Sequence, residues 1–157
     1  MDLWLDLNVF LKLIVISVLA GVLGWERESA GKSAGLRTHL LVGISSVLFI
    51  VIGELMFSRY SVYGQSMRFD PVRILEAIVT GISFLGAGMI FFSRSKKGVR
   101  GLTTAAGILT TAAIGMIVGL ERYILAAGCT LIVFTILHFV NKFESYYASS
   151  SSDSDRM

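Results

Sequence analysis

Glu26, Arg27 and Glu28 stand together in the segment GWERE, at the end of a long apolar run. If that run is a helix, its macrodipole disfavours the two carboxylates at this end, so they need a compensating partner. Arg27, Lys32, Arg37 and the basic segment ending in Arg100 are the cations available on the same side. A polar network of these groups is a candidate site; the alternative is a solvated interfacial cluster of little energetic weight.

A second group lies in FDPVRILE. Asp70 fits a helix N-cap, and Pro71, the single proline, fits the first helical position, where a missing N–H costs nothing. Arg73 and Glu76, three residues apart, then share a helix face and can pair. Beside this capping role stands a functional one. Ionisable groups at the edge of an apolar layer are costly to keep, so Asp70 and Arg73 are also candidates for an ionic lock or ion-binding element. For Mg²⁺, a hard cation that retains several waters, Asp70 and Glu76 are the weak candidate ligands.

The remaining ionisable groups near apolar runs are Lys12, Glu54, His39 and His138. Lys12 can snorkel from the first run, Glu54 can reach headgroups, His39 sits beside Arg37 at an interface, and His138 is near the last helix end. None forms a HExxH or Ser/His/Asp pattern, so a hydrolase or metalloenzyme is not indicated and no cofactor is implied. Were there catalysis, Glu26, His39 and Asp70 would be the first groups to test. The lone Cys129 excludes a disulfide framework and a thiolate metal cluster, and reads as a packing residue.

One further pattern concerns packing. Thr103, Gly107, Thr111, Gly115 and Gly119 recur at i+4, which makes a groove of small side chains along one helix face. Ala77, Gly81 and Gly88, and Ser17, Gly21 and Gly24, are the matching small positions elsewhere. The groove serves tight packing within the monomer, an oligomer contact or a pore lining.

Five apolar stretches of spanning length must position these residues: 4–25, 38–57, 74–92, 102–120 and 123–140. A hydrophobic content of 54%, 16% charged residues and a mean hydropathy of +0.73 exclude a soluble domain, whose core could not bury so much apolar surface. The net charge of +3 does not point to nucleic acid, because the basic residues sit in short pieces between apolar runs. The expected fold is an all-α membrane protein, a compact bundle of five transmembrane helices.

Nine Lys and Arg residues fall on the side of Arg27, Arg37 and Arg100, against Arg59, Arg68, Arg73 and Arg122 on the other. This asymmetry predicts the N-terminus outside and the C-terminus in the cytoplasm. Asp2 and Asp6 stand where a signal peptide would be basic, so the first helix is expected to remain. Residues 1–144 form the expected transmembrane domain. Residues 145–157, rich in Ser and Asp, lack apolar periodicity and are expected to form a disordered cytoplasmic tail.

The blocks GWERESAGKSAGLRTHLLVGISSVLF, DPVRILEAIVTGISFLGAGMI and VRGLTTAAGILTTAAIGMIVG occur in this order. Through AGLRTH, GISFLGAG and RGLTTAA, the chain resembles the MgtC/SapB family of bacterial membrane proteins, its short YhiD/SapB-like branch included. The resemblance implies a five-helix domain in the bacterial inner membrane and a role in adaptation to low magnesium, acid or life inside host phagocytes. Members are not established magnesium transporters. The resemblance further implies, through the founding subgroup, similarity to a regulator that binds and restrains the membrane part of the F-type ATP synthase and has small hydrophobic peptides as partners. The family's charged motif positions carry over as Glu26, Arg27, Lys32, Arg37, Asp70, Arg73 and Arg100. Two departures weigh against ATP-synthase control and virulence for this chain: the serine tail stands where that subgroup has an ACT-like domain, and Thr103 and Thr110 replace its Asn and Cys.

The expected function is therefore that of a non-enzymatic regulator that binds itself or another membrane protein, surrounded by lipid. A small channel or transporter for Mg²⁺ or another ion is the alternative, with few acids available in the bilayer interior to serve it.

Overall fold

A chain that meets lipid must satisfy its amide groups internally, and helices do so segment by segment. The computed structural model describes residues 3–60, 70–92 and 100–154. Their regular structure is five helices: α1 (Leu3–Ser29), α2 (Leu36–Tyr60), α3 (Pro71–Phe92), α4 (Leu102–Gly119) and α5 (Tyr123–Ser154). The first four are long and apolar enough to cross a membrane, and α5 has a shorter apolar portion, Tyr123–Phe139. The helix α5 is described as far as Ser154. Arg68, Arg94, Lys96, Lys97 and Arg156 lie outside the described residues.

Local sequence explains the helix ends. Asp70 Oδ1 accepts the Val72 N–H at 3.0 Å, the N-cap contact for which FDPVR is built. Glu28 Oε2 accepts the Leu36 N–H at 2.8 Å. This carboxylate, unfavourable at the end of α1, is thus compensated by the positive end of α2. Both α1 and α4 end in Schellman turns. In the first, the N–H groups of Gly31 and Lys32 reach the carbonyls of Glu28 and Arg27, with Gly31 at φ +65°. In the second, the N–H groups of Glu121 and Arg122 reach those of Val118 and Ile117. There Glu121 adopts φ +62°, a conformation that glycine usually takes.

Helices α1, α2 and α4 form the centre. α3 packs on α4 and more sparsely on α2, α5 packs on α1 and α4, and α3 and α5 make no mutual contact among the described residues. Ile16, Ala20, Leu23, Val47, Val51, Ile114, Val118 and Ala126 form the main core. Trp4, Trp25, Phe84 and Ile124 are among the large apolar side chains left exposed, which lipid tolerates and water does not.

The small-residue row of α4 is filled from within. A Cβ at Gly115 would lie 2.7 Å from the Gly43 carbonyl oxygen, and one at Gly119 would lie 2.8 Å from Ile50 Cβ, both on α2. Gly107 and Thr111 belong to the same buried seam, whereas Thr103 is exposed at its end. Gly24 allows α2 to cross α1, since its Cβ would meet Leu36 Cα at 2.7 Å; Gly21 is only in ordinary contact, with Leu40. The small positions of α3 do not match the α4 row. Nothing lies within 4 Å of a Cβ placed at Gly81 or Gly88, and the close approach to α4 is that of Gly86 to Ala105.

Candidate functional site

Two polar groups lie along this bundle, near opposite ends of α1. The first surrounds Arg27, in the last turns of α1 and only 1% exposed. Arg27 Nη2 donates to Thr104 Oγ1 at 3.2 Å, tying α1 to α4, and its chain neighbour Glu26, also buried, is close enough to offset its charge. Seven residues further along the same face of α4, Thr111 meets the fully buried His39 of α2, with Oγ1 and Nδ1 2.7 Å apart. The Thr111 hydroxyl donates to the Gly107 carbonyl at 2.9 Å, so Nδ1–H of His39 is the donor between them. His39 Nε2 then carries the lone pair, buried and without a hydrogen-bond partner among the described residues.

Above Arg27 the polar layer opens into a cleft of about 640 Å³, between the end of α1 and the start of α4. Arg27, Lys32, Ser33, Arg100, Thr103 and Thr104 contribute to its lining. Gly101 is the N-cap of α4 at φ +93° and provides no side-chain cap.

The second group centres on Lys12, which is 3% exposed within α1. Its Nζ lies 3.0 Å from Glu121 Oε1 and 3.6 Å from Glu54 Oε2, so one ammonium joins α1 to the end of α2 and to the α4–α5 turn. Asn8, one turn before Lys12, donates to Glu121 Oε1 at 2.8 Å. The hydrogen bond from Lys12 chiefly, then that from Asn8 and the Lys12 charge, hold the Glu121 carboxyl below its ordinary value.

The sequence candidates thus divide. Arg27, Lys32 and Arg100 come together in the cleft, with Glu26 behind them and Arg37 exposed on the first turns of α2. Asp70 and Arg73 belong to the start of α3 and do not join that cleft; Asp70, Arg73 and Glu76 are all exposed. Among the described residues no group of three or more His, Cys, Asp or Glu could hold a metal ion. Cys129 is half-buried against the core.

Three placements escaped sequence reasoning. His39 is buried between helices instead of interfacial, Lys12 points to carboxylates instead of snorkelling, and Glu54 faces Lys12 across the bundle. A usable signal existed in α2, where His39, Gly43, Ser46, Ile50 and Glu54 recur at three or four residues and run beside the α4 row.

Comparison with known proteins places the chain in a family. The model of the MgtC family matches residues 13–146. The putative magnesium transporter YhiD of Escherichia coli K12 is 40% identical over 131 residues, 82% of this chain and 60% of that protein. Protein MgtC of Brucella abortus 2308 is 39% identical over 121 residues, 76% of this chain and 45% of its own length. Protein SapB of Bacillus subtilis 168 is 30% identical over 137 residues, 87% of this chain and 58% of its own. The chain therefore spans between about half and three fifths of these relatives. No solved structure matches it. With four helices of spanning length and a family match over nearly its whole apolar region, the chain is a multi-pass membrane protein belonging to the MgtC family.

Proposed function

We propose that this protein is a non-enzymatic regulator in the bacterial inner membrane, linked to magnesium homeostasis and stress adaptation, which acts by docking a second copy of itself or another membrane protein. Its basic cleft faces the cytoplasm in this reading, the side that the charge asymmetry predicts. The observation that carries the proposal is the outer face of α3. Ala77 and Gly81 are exposed, and a Cβ at Gly81 or Gly88 would meet nothing within 4 Å. Such a face lets another helix backbone approach closely and gain dispersion contacts that lipid provides poorly. The α4 row offers no such access, being filled by α2.

The test is association in native membranes. Cross-linking and co-purification should recover a homo-oligomer or a defined membrane partner, and Gly81→Leu with Gly88→Leu should abolish it while the monomer keeps its thermal stability. A wild-type protein that is monomeric and partnerless in native membranes would remove the basis of the proposal.

Ion transport is the second reading, favoured by the relative whose name is putative magnesium transporter. Asp70 and Glu76, exposed near the start of α3, are its candidate ligands at a pore mouth. Mg²⁺ flux into liposomes that disappears in Asp70→Asn supports this reading; no flux through folded protein dismisses it.

A further inference from the structure

We propose that the cleft between the end of α1 and the start of α4 binds a phosphate group. It is a built concavity with one sign of charge: Arg27, Lys32 and Arg100 line it, and no carboxylate does so among the described residues. Ser33, Thr103 and Thr104 add hydroxyl groups that can donate to anionic oxygens. The nearest acids are otherwise engaged or set back, Glu28 accepting the Leu36 N–H and Glu26 lying buried beside Arg27.

Two further features point to an anion. The N–H groups that open α4 have no side-chain cap at Gly101, and they add the positive end of an 18-residue helix to the cationic lining. Arg27 forms the floor of the cleft, nine-tenths buried or more, with Nη2 used by Thr104 and Nε without a hydrogen-bond partner among the described residues. A buried guanidinium is costly, and an anion in the cleft that Arg27 lines adds to the compensation that Glu26 gives its charge. Phosphate suits this donor set because it presents several charged oxygens to a guanidinium, an ammonium, hydroxyls and helix N–H groups at once. The volume admits a phosphate that carries a substituent. The cleft lies at the ends of spanning helices, the depth at which phospholipid headgroups sit, so the phosphate has two possible sources: a headgroup or a soluble phosphate.

The experiment uses the full chain in detergent and in nanodiscs. Inorganic phosphate is titrated calorimetrically in detergent. Bound phospholipid is counted by native mass spectrometry after release from nanodiscs of phosphatidylcholine alone or of an equal mixture with phosphatidylglycerol. Lys32→Ala and Arg100→Ala change exposed side chains, so thermal unfolding without ligand should be unchanged. Each should weaken binding about tenfold, the usual effect of losing one charge-assisted contact. Arg37→Ala, an exposed cation outside the cleft lining, should leave binding intact. Loss with inorganic phosphate identifies a soluble source, and loss with phosphatidylglycerol alone identifies a headgroup. Binding of neither probe, or equal loss in Arg37→Ala, overturns the proposal.

Discussion

Lys12 Nζ lies 3.0 Å from Glu121 Oε1, and Glu121 sits at φ +62° in the turn that ends α4. A non-glycine residue there costs about 1–2 kcal/mol, so the ion pair and the Asn8 hydrogen bond must offset local strain. Glu121→Ala should destabilise the folded protein in detergent by about 1–3 kcal/mol, because a buried ammonium keeps only the longer contact to Glu54. Glu121→Gly should cost about 1 kcal/mol less than Glu121→Ala, since it relieves the strain while losing the same pair. Equal losses in chemical denaturation would show that the backbone is not strained.

The same contact sets a pH dependence. Lys12 and Asn8 lower the Glu121 carboxyl below its ordinary value of 4.5 in the folded protein. A lowered acid stabilises the fold above the unfolded value and loses that contribution as the pH falls through the folded one. Stability should therefore decline as acid is added below about pH 4.5, and this component of the decline should be absent in Glu121→Gln. Unfolding midpoints of both proteins across an acid series provide the check.

Between α2 and α4, the His39–Thr111 hydrogen bond is the buried polar tie. Thr111→Val keeps the shape and removes the acceptor, leaving the His39 Nδ1–H without a partner. The expected loss is about 1 kcal/mol, since interhelical hydrogen bonds in membranes average less than that and a stranded donor adds to it. Thr110→Val is the control: its hydroxyl bonds within its own helix to Ala106, and the change should be close to neutral. Parallel unfolding curves would check both.

Glycines with and without neighbours should respond in opposite ways. At Gly115 a methyl group meets the Gly43 carbonyl and Ser46 Cβ within 3 Å, so Gly115→Ala must part α2 from α4, at about 1–3 kcal/mol or more. At Gly81 a methyl group meets nothing, and alanine favours the helix by about 1 kcal/mol. Gly81→Ala should therefore leave the monomer as stable as before or slightly more so. Thermal unfolding of the two variants in one detergent compares them directly.

Much of this protein was legible from its residues alone. Each helix announces itself as a run of apolar residues bounded by polar ones, and FDPVR fixes the start of α3 through Asp70 and Pro71. Those are local properties, decided by backbone hydrogen bonding in lipid and by the chemistry of a few capping residues. The Glu28 contact was half legible: the charge conflict at the end of α1 was evident, but its resolution came from the first turn of the next helix.

Apart from the spacing of His39, Gly43, Ser46, Ile50 and Glu54 in α2, the rotation of the helices about their own axes was not legible. In water an apolar stripe identifies the buried face, but here lipid makes every face apolar, and the stripe that marks the interior loses its contrast. The tertiary structure alone therefore decided that α2 fills the α4 row, that Lys12 meets Glu54 and Glu121, and that His39 meets Thr111. Composition and local pattern determined a helical membrane protein. Close packing between residues distant in the chain determined which of its polar groups pair and which open onto the cleft.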